Sequence, residues 1–536
     1  MHKITYFFLL LMSFKVLSQT EYKPLTWEVK STHWSRQDEE RFQEFIKNIG
    51  RAREQRKCFT TESCLKSSYA NPAYSKLTNP QVKIFADCAD LPYVLRAYFA
   101  WMNDLPFSYP ISLKKVNPEL DKDKDIRYTA YGNEVIRRKR VVSGDNINTV
   151  LKNIANFIST AVYRIPTTKD VSGPNVFNDF FPVKINRKAL IPGTVFYDPN
   201  GHILVVYEVT KDGRVFMIDA HPDNSLTRAV YDDKKFVISS PSYGAGFKNW
   251  RPFNVEESGL VIATKNNELT EDYFYSTEQY LGHTELINNN WRTRKYLFNG
   301  SEVPFGEYVR QSLAVGNLRY DPLKEFKELL KAVCNDVRDR KDSVDSALAA
   351  NIHLLPHPER LPQNIYGTTG PWETYSTPSR DARLKAAFWN IKESLKTFIT
   401  KHREGNPGID YQGQDLSGDL LKIYDQETRS CKITYTNSEK IQVELNLDDI
   451  INRIYNMSFD PYHCVEQRWG AVGNELSSCR QEEIKNQWYE AEQLLRNTIE
   501  RNYDLRMDYT VYELPNANIG TKTPMDLNIK KLIEAF

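Results

Sequence analysis

Residues 191–224, IPGTVFYDPNGHILVVYEVTKDGRVFMIDAHPDN, constrain the fold of this chain more than any other stretch. TVFY, HILVVYEV and VFMIDA are β-branched and aromatic runs, and the turn formers DPNG and TKDG separate them. Three consecutive strands joined by tight turns predict an antiparallel sheet. Turn length then decides which residues face one another. A two-residue turn at Thr210-Lys211 sets His202 opposite Asp219, a four-residue turn sets it opposite His221, and a tight Asp212-Gly213 turn sets it opposite Asp223. In every register the facing residue is odd-numbered. Asp219, His221 and Asp223 therefore share one face with His202, and polar groups on one face of apolar strands suggest a site.

The second constraint is an odd number of cysteines, at 58, 64, 88, 334, 431, 464 and 479. The first residues, MHKITYFFLLLMSFKVLSQT, have a basic start, a short apolar core and small residues at Val16 and Ser18, which predicts a signal peptide over 1–18. In an oxidising compartment seven cysteines leave at least one thiol unpaired. Proximity suggests Cys58–Cys64 and Cys464–Cys479. Cys334 lies on an apolar helical stripe, either as a buried thiol or bridged to Cys431. Cys88 is then the thiol left over.

Cys88 lies in KIFADCADLPYVLRAYFAWMNDLPF, residues 83–107. Asp87 or Asp90 is placed to cap a helix that is apolar nearly all round, the pattern of a buried helix. Pro92 means either that this helix starts near Asp90, with Cys88 just ahead of it, or that its first turn is distorted. A helix N-terminus stabilises a thiolate, so this setting favours a nucleophile with a depressed pKa. A nucleophilic thiol needs a base. Of nine histidines, His2 leaves with the signal, and His33, His283, His402 and His463 lie in charged or loop-like surroundings. His353 and His357 have helical spacing broken by Pro356, which argues against a metal pair. His202 and His221 remain.

DCADLPYVLRAYFAWMNDLP resembles the nucleophile helix of papain-like cysteine hydrolases of the NlpC type, and PGTVFYDPNGHILVVYEV resembles their Pro-Gly strand and the Gly-His that opens the next. The order of cysteine, histidine strand and MIDA strand is also similar to transglutaminase-like cores. The resemblance implies an α+β papain-like core, with the nucleophile helix packed on an antiparallel sheet. It implies Cys88 as nucleophile, His202 as general base and Asp219 as orienter, with His221 as the alternative third residue. Asp90 and Pro92 depart from the pattern, and the 107–190 span is long. That span, with Ile154, Phe157, Ile158, Ala161 and Val162 at helical spacing, reads as an insertion shaping a cleft.

The expected organisation is a signal peptide over 1–18, a hydrolase domain over 19–265 and a mostly helical domain over 266–536. In the last of these, Asp321-Pro322 opens a helix and Leu384, Phe388, Ile391, Leu395 and Phe398 form a second stripe. Ser478-x-x-Gln481 is expected to cap a third helix running to Ile499, and CKITYTNSEKIQVEL to form a hairpin. The loop 361–385 carries Tyr366, Trp372, Tyr375 and Arg380, and reads either as an exposed ligand-binding loop or, equally, as a packed connection.

Lys plus Arg total 71 against 69 Asp plus Glu, so there is no global field for nucleic acid, and the run Arg137–Arg140 reads as a solvated face. No segment after the signal reaches the roughly 18 apolar residues of a membrane span. The expected partner is a peptide, and the NlpC-type resemblance implies a cell-wall peptide; neither cofactor nor metal is expected. The expected activity is amide hydrolysis through a thioester by a periplasmic or secreted enzyme. The alternatives are transglutaminase-like acyl transfer and a catalytically silent binding protein.

Overall fold

The computed structural model describes all residues except 1–21, 234, 237–239, 270, 281–294, 368–369, 376–377 and 504. The predicted signal peptide and His283 lie outside the described residues. Helices and antiparallel sheets mix along the chain, so the fold class is α+β.

The three predicted strands are the centre of a six-stranded antiparallel sheet. Its order is Phe180–Pro182, Gly246–Trp250, Val195–Asp198, His202–Val209, Val215–Ala220, Leu226–Val230. None of the three uniform registers describes the central hairpin. Its turn holds Lys211, Asp212 and Gly213 between Thr210 and Arg214, and Gly213 takes a left-handed φ of 78°. Beyond the turn a bulge between Val206 and Glu208 shifts the frame by one residue. Continuing the Val205↔Ile218 pairing brings His202 level with His221 and diagonal to Asp219.

Both faces of this sheet are covered. On one, Tyr197, Ile203, Val205, Tyr207 and Ile218 share a core with the helices Arg36–Glu54 and Leu91–Met102. The first of these helices starts in a Ser35/Asp38 capping box and buries Phe42, Phe45, Ile46 and Ile49. It crosses the His202 strand so closely that a Cβ on Gly50 would fall 2.0 Å from Tyr207 Cγ. On the opposite face Phe196, Leu204, Val206 and Met217 meet Phe305, Val309 and Leu313 of the helix Phe305–Leu313. Residues just after 265 therefore pack on this sheet.

The 107–190 span contains a hairpin, Ser108–Lys115 with Asn133–Arg140, and a helix, Ile147–Phe157. The helical spacing breaks at Ile158, and Thr160–Val162 is a separate 3-10 turn. Within the basic run Arg138 is buried, paired to Asp179 at 2.8 Å, so that residue is an internal anchor and not part of a solvated face.

A second core gathers the helices Pro322–Ala349, Pro378–Arg403 and Leu416–Ser430 with the hairpin Lys432–Thr436/Gln442–Asn446. Asp321 caps the first of these, with Pro322 at its first position. Ser478 caps nothing: its hydroxyl donates to Glu466 at 2.7 Å, and the following helix runs over Glu483–Ala491 and, after a break at Glu492, resumes over Gln493–Arg496, ending just before Ile499. Buried Arg53 and Asp339 pair at 2.6 Å and join the two cores. Three disulfides, Cys58–Cys64, Cys334–Cys431 and Cys464–Cys479, leave Cys88 as the free cysteine. Among the described residues no helix is long and apolar enough to cross a membrane.

Candidate active site

Cys88 stands in a tight turn directly ahead of the Leu91–Met102 helix. Asp87 organises the turn, its Oδ1 accepting from the N–H groups of Ala89 at 2.8 Å and Asp90 at 3.2 Å. Asp90 occupies the cap position, but its carboxyl turns back to the Asp87 N–H at 2.6 Å and makes no cap bond. Pro92 falls in the first helical turn, where its missing N–H costs nothing. Tyr163 fixes the turn from the insertion, donating to the Ala89 carbonyl at 2.6 Å.

The turn meets the start of the His202 strand. Cys88 Sγ lies 3.9 Å from the Gly201 carbonyl, and the Ile203 N–H is directed at the sulfur. His202 is buried, and its Nε2 is 2.6 Å from Asp219 Oδ2. That bond assigns the Nε2 proton to the Asp219 side and leaves Nδ1 as the free base nitrogen. Asp219 is held in turn by Thr227, directly opposite on the next strand, whose hydroxyl donates to Oδ1. His221 Nε2 lies 3.0 Å from Thr227 Oγ1 and 3.3 Å from Asp219 Oδ2. His221 thus supports Asp219 from behind, with its ring centroid 5.9 Å from that of His202. Cys88, His202, Asp219 and His221 all converge, while Asp223 turns away to accept from the Ser225 N–H at 2.9 Å.

Burial opposes the charge of Asp219, but His221 and His202 outweigh it and hold the carboxyl well below its usual range. Burial, aided by the Arg383 guanidinium, pulls His202 down and keeps the imidazole neutral. Cys88 departs from expectation. Burial first, then the carboxylate of Asp87, push its thiol well above the ordinary value, overriding the helix N-terminus. The resting site therefore holds a protonated thiol and a neutral imidazole on one cavity, with no hydrogen bond between them. Iodoacetamide should label Cys88 slowly, with a pH midpoint above the ~8.5 of a free thiol, and Asp87→Asn should lower that midpoint. A wild-type midpoint below ~8.5 would contradict the resting state described.

Asp90 gives a second pH signature. Burial and the neighbouring Asp87 raise its carboxyl from 3.8 to about 9. Because the folded value lies above the unfolded one, its contribution to stability is fully present below the unfolded value and is lost as pH rises through the folded one. Wild type should lose stability relative to Asp90→Asn across that window and level off above about 9, as read by urea titrations at stepped pH.

The helical part of the chain walls the site. A cavity of about 90 Å³ is lined by Cys88, His202 and His221 and, from the other side, by Tyr366, Trp372 and Arg383. Trp372 and Arg380 are buried, and Tyr366 and Tyr375 half-buried, so the aromatic loop is a packed wall and not an exposed display. No hydrogen bond or ion pair joins Arg383 to another described residue; its charge sits beside Asp219 and Tyr503. Burial and Asp87 raise the Glu373 carboxyl, on the same wall, to about 7.

No family model, no curated protein and no solved structure matches this chain. The site is therefore read from its own geometry. Sequence reasoning missed Thr227, Tyr163 and Arg383. Thr227 follows from pairing the MIDA strand with the next strand; Arg383 had no local signal, because only the tertiary fold brings it to Cys88.

Proposed function

We propose that this chain is an exported cysteine hydrolase that cleaves amide bonds in cell-wall peptides. The observation that carries the reading is the convergence of the free cysteine with a buried, carboxylate-bonded histidine on one small cavity. The NlpC-type resemblance of the Cys88 and His202 segments supports it, and three disulfides support an oxidising compartment.

In this mechanism substrate enters, His202 Nδ1 takes the Cys88 proton, and the sulfur attacks the carbonyl carbon. The Cys88 N–H, which no backbone or side-chain acceptor engages among the described residues, is the donor placed for the developing oxyanion. His202 then returns the proton to the leaving amine as the C–N bond breaks, leaving a thioester. A water molecule gives its proton to His202 and its oxygen to the acyl carbon; the thiolate leaves and regains the proton. Asp219 holds the Nε2 proton throughout and stabilises the imidazolium.

The small cavity admits a side chain or a peptide terminus, well short of the 300 Å³ or so of a drug-sized pocket. Unpaired Arg383 favours a carboxylate there, a group that stem peptides carry. Purified peptidoglycan incubated with wild type should yield new peptide ends that Cys88→Ala does not, with little cleavage of a generic peptide library. Amine adducts without free ends would indicate acyl transfer instead. The walled, protonated thiol favours one other reading, a silent binding protein, which predicts no Cys88-dependent product from either source.

A further inference from the structure

A second cluster of ionisable groups lies inside the helical half, and it requires neither Cys88 nor the activity proposed above. His357, on the loop after the 3-10 turn Ile352–Leu354, reaches Asp460 and Glu492, more than 100 residues onward, and one ligand atom from each lies within 4.8 Å of the others. The His357 and Asp460 side chains are fully buried, and so is Glu492.

Two features of this cluster, the His357 Nε2 contact with Asp460 and the bare carboxyl of Glu492, point to a further partner. His357 Nδ1 is 2.6 Å from the Pro358 carbonyl, which fixes its proton on that nitrogen. His357 Nε2 lies 3.0 Å from Asp460 Oδ2, on the side of the ring turned toward the cluster. Neither oxygen of buried Glu492 has a hydrogen-bond partner. Arg496 and Arg468 act on Glu492 through space, but no hydrogen bond from the nearby cations reaches it: Arg496 donates to Gln493 and Tyr455, Arg468 to the Ser458 carbonyl, and Lys485 to the His353 carbonyl at 2.6 Å. Two buried carboxyl groups and an imidazole nitrogen converging with fewer donors than acceptors call for a cation or for extra protons.

We propose that His357, Asp460 and Glu492 bind one divalent transition-metal ion, zinc foremost, as a structural site. One imidazole nitrogen and two carboxylate oxygens form a ligand set suited to zinc, and a Nδ1–H bonded to a backbone carbonyl is the arrangement that presents Nε2 to a metal. Tetrahedral zinc holds its ligand atoms about 3.4 Å apart, a contraction that side-chain rotation supplies. His463 is the nearest candidate for the fourth position: its ring is 6.3 Å from that of His357, and its buried Nε2 has no partner. The outer support is already built. Trp372 Nε1 donates to Asp460 Oδ2 at 3.2 Å, the Tyr462 N–H donates to Oδ1 at 2.7 Å, and the His357 ring stacks on Trp488 at 4.3 Å. Trp372 also lines the Cys88 cavity, so the bound ion would fix one wall of that site.

His353 and His357 read as unable to pair on a helix because of Pro356; the partners of His357 are Asp460 and Glu492. The alternative occupant is a proton, because without a cation burial and Asp460 push the Glu492 carboxyl well above its usual range.

The test uses untagged full-length protein. After purification without chelator, elemental analysis should find about one equivalent of metal per chain, removed by a strong chelator with a lower Tm that added zinc restores. Glu492→Gln, an isostere of the protonated acid, should weaken zinc binding by about 100-fold or more and abolish the chelator-dependent Tm shift. Should that variant misfold, wild type with and without chelator still decides the matter. Metal-free protein whose Tm ignores both chelator and added zinc would overturn the proposal and leave a shared proton in its place.

Discussion

In the proposed mechanism His202→Ala should lower kcat/KM on cell-wall peptides by about 10⁴-fold, because it removes the base assigned to Cys88 while leaving the thiol protonated. The size follows from the resting state. With the Cys88 thiol raised by burial and Asp87, almost no thiolate forms unless His202 accepts the proton in the encounter with substrate. Asp219→Ala should cost less, about 10²-fold to 10³-fold, since the imidazole survives but loses its tautomer lock and its counter-charge. His221→Ala should cost less again, because the hydrogen bonds of His221 go to Asp219 and Thr227 and it meets His202 only ring to ring. Steady-state kinetics on one stem-peptide substrate ranks the three. A ranking with His221 first would assign the third role to that residue instead of Asp219. Thermal melts must accompany the series, since truncating a partner of a buried carboxylate also destabilises.

The second large effect is on stability. Cys334 and Cys431 are 97 residues apart and bridge the Pro322–Ala349 helix to the end of Leu416–Ser430. In the chain-entropy model, closing a loop of about 100 residues stabilises by about 4.7 kcal/mol, more than a third of the stability of many domains. Cys334→Ser with Cys431→Ser should therefore lower the urea midpoint of the helical half sharply. Removing the six-residue Cys58–Cys64 link should cost much less, its loop being so short. Equal losses from the two pairs would show that strain and packing, not loop closure, set the bridges' contribution.

Much of the site was legible because short-range chemistry specifies it. Turn residues and alternating β-rich runs located the hairpin, the face shared by His202 and Asp219 followed from the period of two, and Pro92 narrowed the start of the Cys88 helix to two readings. The exact register was not legible. It depends on a bulge at Tyr207, where the close crossing of Arg36–Glu54 at Gly50 is a tertiary event. That helix itself was readable from Ser35-x-x-Asp38 and the Phe42, Phe45, Ile46, Ile49 spacing, and was overlooked. The state of the thiol was misjudged for a different reason. A helix N-terminus is a local feature, whereas the burial that overrides it comes from packing, and the wall facing it comes from residues 366–383. The Ser478 cap failed because Glu466 competes for its hydroxyl from an element far along the chain.

The most direct measurement is intact mass spectrometry of acid-quenched reactions with a stem peptide, comparing wild type, Cys88→Ala and His202→Ala. The account predicts an acyl adduct on wild type that maps to Cys88, its mass equal to the released acid less water, with free amine appearing at the same rate. Cys88→Ala should carry no adduct, and His202→Ala should form it only on a far slower timescale. Amide cleavage that persists in Cys88→Ala, or wild type that binds the peptide yet yields neither adduct nor amine, would contradict it.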